Sequence, residues 1–333
     1  MKVSKILAGL FLSLIMFVAA CGSSSDEPAG WVDEEVTFTA DGLTIHGSYR
    51  HERDTAPGPA ALLISESGST DRNGDNAVAG PIGNMRQLAE LLSDKGVASL
   101  RYDKIGTGAT GLGPYAQRPM DVISSVYTTG AKAAVSYLAD QSATEASRIS
   151  VYAVGEGAIH AMALATDTNA GAPKIHSLGL FQPLPGRYLD IITDRVRASA
   201  GPEALNTWLA AVDQVRMKGT VAPNLPEGLG ALLNPGNVKA VIEADKIDPL
   251  ALAAEVPAGT PVLLTCSDAD KQATCASVKP LVDALEHTAL TVVELEGVSH
   301  VLRDDPTDNV ANYSKPDPLS PQLTNALDAF VGK

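Results

Sequence analysis

Short strand-like segments separated by helix-period segments constrain this chain more than any other feature. Residues 60–65 form an unbroken apolar run, the mark of a strand buried on both faces of a parallel sheet, and residues 97–102, 149–154, 177–181, 261–265 and 290–295 read as further strands. Between them, residues 85–95, 123–138, 158–165 and 278–285 carry apolar side chains at helical spacing, and residues 321–331 close the chain in the same way. Gly96 can end the first of these helices. The alternation predicts an α/β architecture, a mostly parallel central sheet flanked by helices. Ahead of it, residues 36–39 and 43–49 alternate apolar and polar about Asp41-Gly42, a hairpin signal. Residues 183–257 break the rhythm, with many helix formers and no clear strand, and read as an inserted helical cap. The core is therefore expected over 32–182 and 258–333. An apolar fraction of 45% is enough to fill it.

The N-terminus carries a different kind of signal. Lys2 and Lys5 precede an apolar stretch over residues 6–20, shorter than the ~20 residues a spanning helix needs. Phe17-Val18-Ala19-Ala20-Cys21 follows, and small residues before a cysteine resemble a bacterial lipobox. That resemblance implies a signal peptide over 1–20, acylation of Cys21, and an exported protein held on the extracytoplasmic face of the cell membrane, with the bilayer as its partner. An uncleaved anchor is the alternative. Residues 21–31, rich in Ser and Gly at their start, read as a flexible tether. The net charge of −14, with no Lys/Arg run beyond the first residues, argues against binding nucleic acid through a basic patch. With Cys21 lipidated, Cys266 and Cys275 remain, nine apart in an oxidising compartment. A disulfide is the natural pairing and two separate buried thiols the alternative.

Residues 149–158 read as strand, sharp turn and helix, the shape of a nucleophile elbow, G-x-S-x-G. So tight a turn needs small residues two before and two after its centre, and Ala153 and Gly157 are small. The centre is Gly155. Glycine has no side chain to attack a carbonyl, yet it tolerates the φ > 0 backbone of an elbow without penalty.

Several stretches resemble bacterial exported α/β-hydrolases of the esterase and serine-aminopeptidase-like group. That group often reads G-S-G-P-T-D-R-N-G where this chain has Glu66-Ser67-Gly68-Ser69-Thr70-Asp71-Arg72-Asn73-Gly74. It reads R-Y-D-K-R-G-x-G where this chain has Arg101-Tyr102-Asp103-Lys104-Ile105-Gly106-Thr107-Gly108. Its elbow is commonly G-H-S-E-G, here Ala153-Val154-Gly155-Glu156-Gly157. The resemblance runs from about Val36 to the C-terminus and implies the α/β-hydrolase fold. It also implies that Asp270, with Asp268 as the alternative, orients His300 in the chain order elbow, acid, histidine. The oxyanion donors would be the Glu156 N–H and one from the Ser67-Gly68-Ser69 turn. Glu66 departs from the group's glycine and Ser69 from its proline, which puts the second donor in doubt, and Glu66 brings a negative charge towards it. The Glu156 side chain is expected to point away from the site.

The implied function is that of a lipid-anchored relative of carboxylesterases and acyl hydrolases, a pseudoenzyme or strongly impaired hydrolase because of Gly155. Its ligand would be a small ester, amide or acyl compound. The alternative is an active hydrolase using a displaced nucleophile, such as Ser67, Ser69 or Ser299, or water activated by His300. On this reading Gly155→Ser should fold and gain esterase activity if the rest of the site is intact. No cofactor is implied. Gly106-Thr107-Gly108-Ala109-Thr110-Gly111 matches G-x-G-x-x-G, but Gly113-Pro114 follows it instead of a helix. Asp71-Arg72-Asn73-Gly74-Asp75 lacks the distal Glu of a calcium loop. His46, His51, His160, His176 and His287 have no metal-ligand spacing.

Overall fold

A computed structural model of the chain describes residues 30–331 apart from 223 and 227. The expected signal peptide, Cys21 and most of the tether lie outside the described residues. The hairpin about Asp41-Gly42 forms β1 (Trp31–Ala40) and β2 (Leu43–Glu52), longer at both ends than the alternation suggested. The apolar runs form β3 (Gly58–Ile64), β4 (Ala98–Tyr102), β5 (Thr144–Val154), β6 (Ile175–Phe181), β7 (Pro261–Ser267) and β8 (Ala289–Leu295). They build one eight-stranded sheet in the order β1-β2-β4-β3-β5-β6-β7-β8. β2 pairs antiparallel with β1 and β4, and every pairing from β4 to β8 is parallel.

The central strand β3 is apolar from Pro59 to Ile64 because both of its faces are covered. Leu62 and Ile64 of β3 face one core, packed with Ala131, Val135 and Leu138 of α2 (Ser124–Ala139) and Ala161 of α3 (Gly157–Ala165). Ala61 and Leu63 face the other, against Met85, Leu88 and Leu92 of α1 (Asn84–Ser93) and Leu323 and Leu327 of α10 (Pro321–Phe330). Side chains alternate across a strand with period two, so adjacent residues of one run serve different layers.

Between β6 and β7 lie five helices: α4 (Tyr188–Ser199), α5 (Pro202–Lys218), α6 (Leu229–Leu232), α7 (Val238–Lys246) and α8 (Pro249–Ala254). The first four share a separate apolar cluster around Trp208, which is fully buried and donates its indole N–H to Thr193 Oγ1 at 2.8 Å. Buried Asp245 clasps this unit by accepting from Arg187, Arg216 and the Leu189 N–H. α9 (Cys275–Ala284) follows β7, and Cys266 and Cys275 are joined in a disulfide.

Candidate active site

In this strand order β4 lies on one side of β3 and β5 on the other. The chain therefore reverses its direction of travel across the sheet between β3 and β5, and the crevice at the carboxyl ends of such strands is where parallel sheets bind ligands. Glu66 follows β3 and Gly155 follows β5.

Gly155 takes φ +54° and donates its N–H to the Phe181 carbonyl at 3.0 Å. Gly157 lies so close to β3 that a Cβ there would stand 2.8 Å from the Ile64 carbonyl oxygen, which explains the small residue two after the turn. At Gly155 itself a Cβ would fall 1.3 Å from Oε2 of Glu66 and 2.3 Å from its Cδ. The space that a side chain on the elbow would fill is thus occupied by the Glu66 carboxylate. A serine at this position would require the Glu66 carboxylate, the far end of a flexible side chain, to move aside and give up its contacts.

Both oxygens of Glu66 are engaged. Oε2 pairs with His300 Nε2 at 2.9 Å, and His300 Nδ1 pairs with Asp270 Oδ2 at 2.9 Å. Oε1 accepts the Ser67 N–H at 2.6 Å and the Glu156 N–H at 3.3 Å. Those are the elbow donor and one donor of the Ser67-Gly68-Ser69 turn expected to face an oxyanion. The Gly68 carbonyl instead accepts from Thr70 and the Ser69 carbonyl from Ala77, and neither residue's N–H reaches Glu66. Burial opposes charge on Glu66, but the His300 hydrogen bond and charge, with the Ser67 N–H, hold its carboxyl well below the usual range. Burial likewise opposes the imidazolium, but Asp270 and Glu66 on its two sides hold His300 well above the ordinary histidine value. The result is a carboxylate–imidazolium–carboxylate relay.

The surroundings fix this relay. Asp270 lies in the loop closed by the Cys266–Cys275 disulfide, and its Oδ1 accepts the N–H groups of Gln272 and Ala273 at 2.7 and 3.1 Å. Asp268 accepts the Gly297 N–H and does not touch His300. Asp308, which sequence reasoning missed, accepts the His300 N–H at 2.9 Å, the Tyr313 hydroxyl at 2.5 Å and the Lys271 N–H at 3.0 Å, joining the loops after β7 and β8. Ser299 is buried and donates to the Arg303 carbonyl. Lys104, buried and pushed below its usual pKa by that burial, donates to the Ser65 carbonyl at 3.3 Å and to the Glu66 carbonyl, so it holds the turn that delivers Glu66.

The stretches that carried the family resemblance brace this turn. Asp103 accepts the Arg72 N–H at 2.9 Å and the Ala109 N–H at 2.8 Å. A Cβ on Gly108 would lie 2.2 Å from the Asp103 carboxylate, so this glycine permits the close approach. Asp71 caps its own loop through the Asn73 and Asp75 N–H groups. Among the described residues no group of three or more His, Cys, Asp or Glu could hold a metal ion.

Two cavities border the elbow, one at Val154 and the other at Glu156 and Gly157. One, of about 230 Å³, has Glu66 and His300 in its wall with Ile82, Val154, Val301 and Tyr313. The other, of about 310 Å³, lies between the core and the cap helices and is lined by Lys104, Tyr127, Glu156, His160 and Tyr188. The Glu156 side chain faces this second cavity. His160 borders it too, pushed down to about 3 by burial and by Lys104, with Nδ1 hydrogen-bonded to Thr128.

No family model matches the chain, and no curated protein matches it in sequence. Solved structures do. An esterase of Pyrococcus furiosus, Pf2001, superposes with a TM-score of 0.55 at 18% identity, covering 93% of this chain and 95% of its own. Est1E of Butyrivibrio proteoclasticus gives a TM-score of 0.55 at 16% identity over 89% of this chain and 96% of its own. Acetyl xylan esterase 1 of a Thermoanaerobacterium gives 0.52 at 14% identity over 81% and 78%. Identities this low speak to the fold alone. Together with the eight-stranded, mostly parallel sheet and its flanking helices, they show that this chain has the α/β-hydrolase fold.

Proposed function

We propose that this protein is a lipid-anchored α/β-hydrolase-fold protein that has given up serine-based acyl transfer, a pseudoenzyme toward carboxylic esters. The observation that carries the reading is the Glu66 carboxylate standing where an elbow side chain would be, 1.3 Å from the position of a Cβ on Gly155. Serine acyl transfer needs a hydroxyl on the elbow, a free histidine nitrogen facing it, and vacant oxyanion donors. Here the hydroxyl is missing, His300 Nε2 is paired with Glu66, and the Ser67 and Glu156 N–H groups are turned to Glu66 Oε1. Asp270 and His300 are the remnant of the acid and base pair. The engagement of both His300 ring nitrogens by carboxylates weighs against a displaced serine or a water activated by this histidine. The ligands this fold's esterase relatives suggest, small ester, amide or acyl compounds, would occupy the cavity that has Glu66 and His300 in its wall.

The test is hydrolysis of p-nitrophenyl acetate and butyrate by the purified soluble domain, with a fluorophosphonate probe for reactive serines. We expect no turnover above the buffer rate and no labelled serine. Ester turnover that vanishes in His300→Ala would overturn the reading. The anchor is a separate part of the proposal. Cys21→Ser should move the protein from the membrane fraction to the soluble fraction, and unchanged partitioning would refute acylation at that cysteine.

A further inference from the structure

We propose that Lys104 is an amine nucleophile toward carbonyl carbon, and that the cavity of about 310 Å³ between the core and the cap takes small aldehydes or ketones as a Schiff base on it. The proposal goes beyond the preceding reading and does not depend on it, since it uses a different cavity and a different nucleophile. Lys104 lines this cavity and is only 5% exposed. Its Nζ donates to two backbone carbonyls, that of Ser65 at 3.3 Å and that of Glu66, and to no carboxylate among the described residues. Two acceptors use two hydrogens, the complement of a neutral amine, and leave the remaining tetrahedral position for a lone pair. Burial pushes the group in that direction, against the charges of Glu156 and Glu66. A desolvated lysine is the residue type that forms Schiff bases. The neighbours narrow the ligand further. Glu156 and Glu66 would repel an anion and Lys104 a cation, so a neutral electrophile suits the cavity best. Val122, Ile123, Val241 and the rings of Tyr127 and Tyr188 give it apolar walls.

Glu156 supplies the acid. Its carboxyl faces the same cavity and has no hydrogen-bond partner among the described residues, since only its N–H is engaged. Burial pushes that carboxyl up, with Lys104 opposing and Glu66 adding to the rise. In the first step the Lys104 lone pair forms a bond to the carbonyl carbon, the C=O π pair moves to oxygen, and oxygen takes the Glu156 proton. The Glu156 carboxylate then removes one proton from nitrogen, leaving a carbinolamine. Glu156 returns that proton to the hydroxyl, the C–O bond breaks, and water leaves as the nitrogen lone pair closes C=N. The sum is amine, carbonyl compound and carboxylic acid giving iminium, carboxylate and water. The one N–H that remains keeps the Glu66 carbonyl, and the longer contact to Ser65 is given up. His160 lines the cavity as well. The Thr128 hydroxyl donates to the Ser124 carbonyl at 3.3 Å, so His160 Nδ1 donates to Thr128 at 3.0 Å and Nε2 is left as a bare acceptor. Such an acceptor suits the water that the condensation releases.

The experiment incubates the soluble domain with butanal and cyanoborohydride at neutral pH, which reduces an imine to a stable N-butyl amine, and follows each lysine by peptide mass spectrometry. Exposed Lys174 and Lys218 serve as internal references. Lys104 should be alkylated several-fold faster than either. Its rate should saturate with butanal, as binding in a cavity requires, while theirs rises linearly. Glu156→Gln should slow the labelling of Lys104 and leave the references unchanged, and Lys104→Met should lose the fast site. The comparison is made within the native protein, so it decides the matter even if Lys104→Met does not fold. Labelling of Lys104 no faster than that of Lys174 and Lys218, or linear in butanal throughout, would overturn the proposal.

Discussion

At the scale of single residues, Gly155 and Glu66 meet at one point of the site. A side chain at 155 and the carboxylate of 66 claim the same volume, so their effects cannot be additive. Gly155→Ser alone adds atoms to a filled space and strains a backbone at φ +54°, and should cost roughly 2–4 kcal/mol by denaturant unfolding. In a Glu66→Gly background the steric part of that cost should disappear. The ion pair gives a second expectation. Glu66 is held below its unfolded value, so its contribution is present above about pH 4.3 and fades as pH falls through the folded value. His300 is held above its unfolded value, so its contribution is present below about pH 6.5 and fades as pH rises through the folded value. The pair therefore stabilises most between those two pH values. A Tm-against-pH profile should flatten on both sides in Glu66→Gln, and a profile unchanged from wild type would contradict the pairing. The turn with glycine at its centre was legible in the sequence, because an elbow is local and its residues are consecutive. The sequence flagged Glu66 as a departure but not where its carboxylate goes, since residues 66, 155 and 300 meet only through three different strand ends.

At the scale of elements, the loop after β7 is closed by a disulfide and tied to the loop after β8 by hydrogen bonds. The Cys266–Cys275 bridge closes a short loop around Asp270, worth about 2–3 kcal/mol in the chain-entropy view. Replacing both cysteines by alanine should lower stability by that amount, measured by urea unfolding. It should also loosen the Asp270–His300 contact, seen as a shift of the His300 imidazole signal in NMR titration. The cap has its own clasp, Asp245 with Arg187 and Arg216. Asp245 is nearly buried, so Asp245→Ala leaves two guanidinium groups without their shared partner. It should make residues 183–257 exchange amide hydrogens faster while the sheet stays protected. The central strands were readable because burial makes them largely apolar, and the core helices because their apolar residues recur at helical spacing. Asp308 was not, because a loop aspartate has no periodicity, and its role appears only once Lys271, His300 and Tyr313 converge on it.

At the scale of the whole molecule, the sheet's change of direction between β3 and β5 brings a turn and an elbow face to face, which lets a residue from one replace a residue of the other. The motifs shared with exported hydrolases brace that junction, with Asp103 and Lys104 holding the turn from beneath. The most direct measurement is nitrophenyl butyrate turnover by Gly155→Ser, with and without Glu66→Gly, alongside the stability of each protein. The account predicts that the single variant is destabilised and inactive, and that the double variant recovers both stability and a His300-dependent esterase rate. A Gly155→Ser protein as stable as wild type and fully active with Glu66 in place would contradict it.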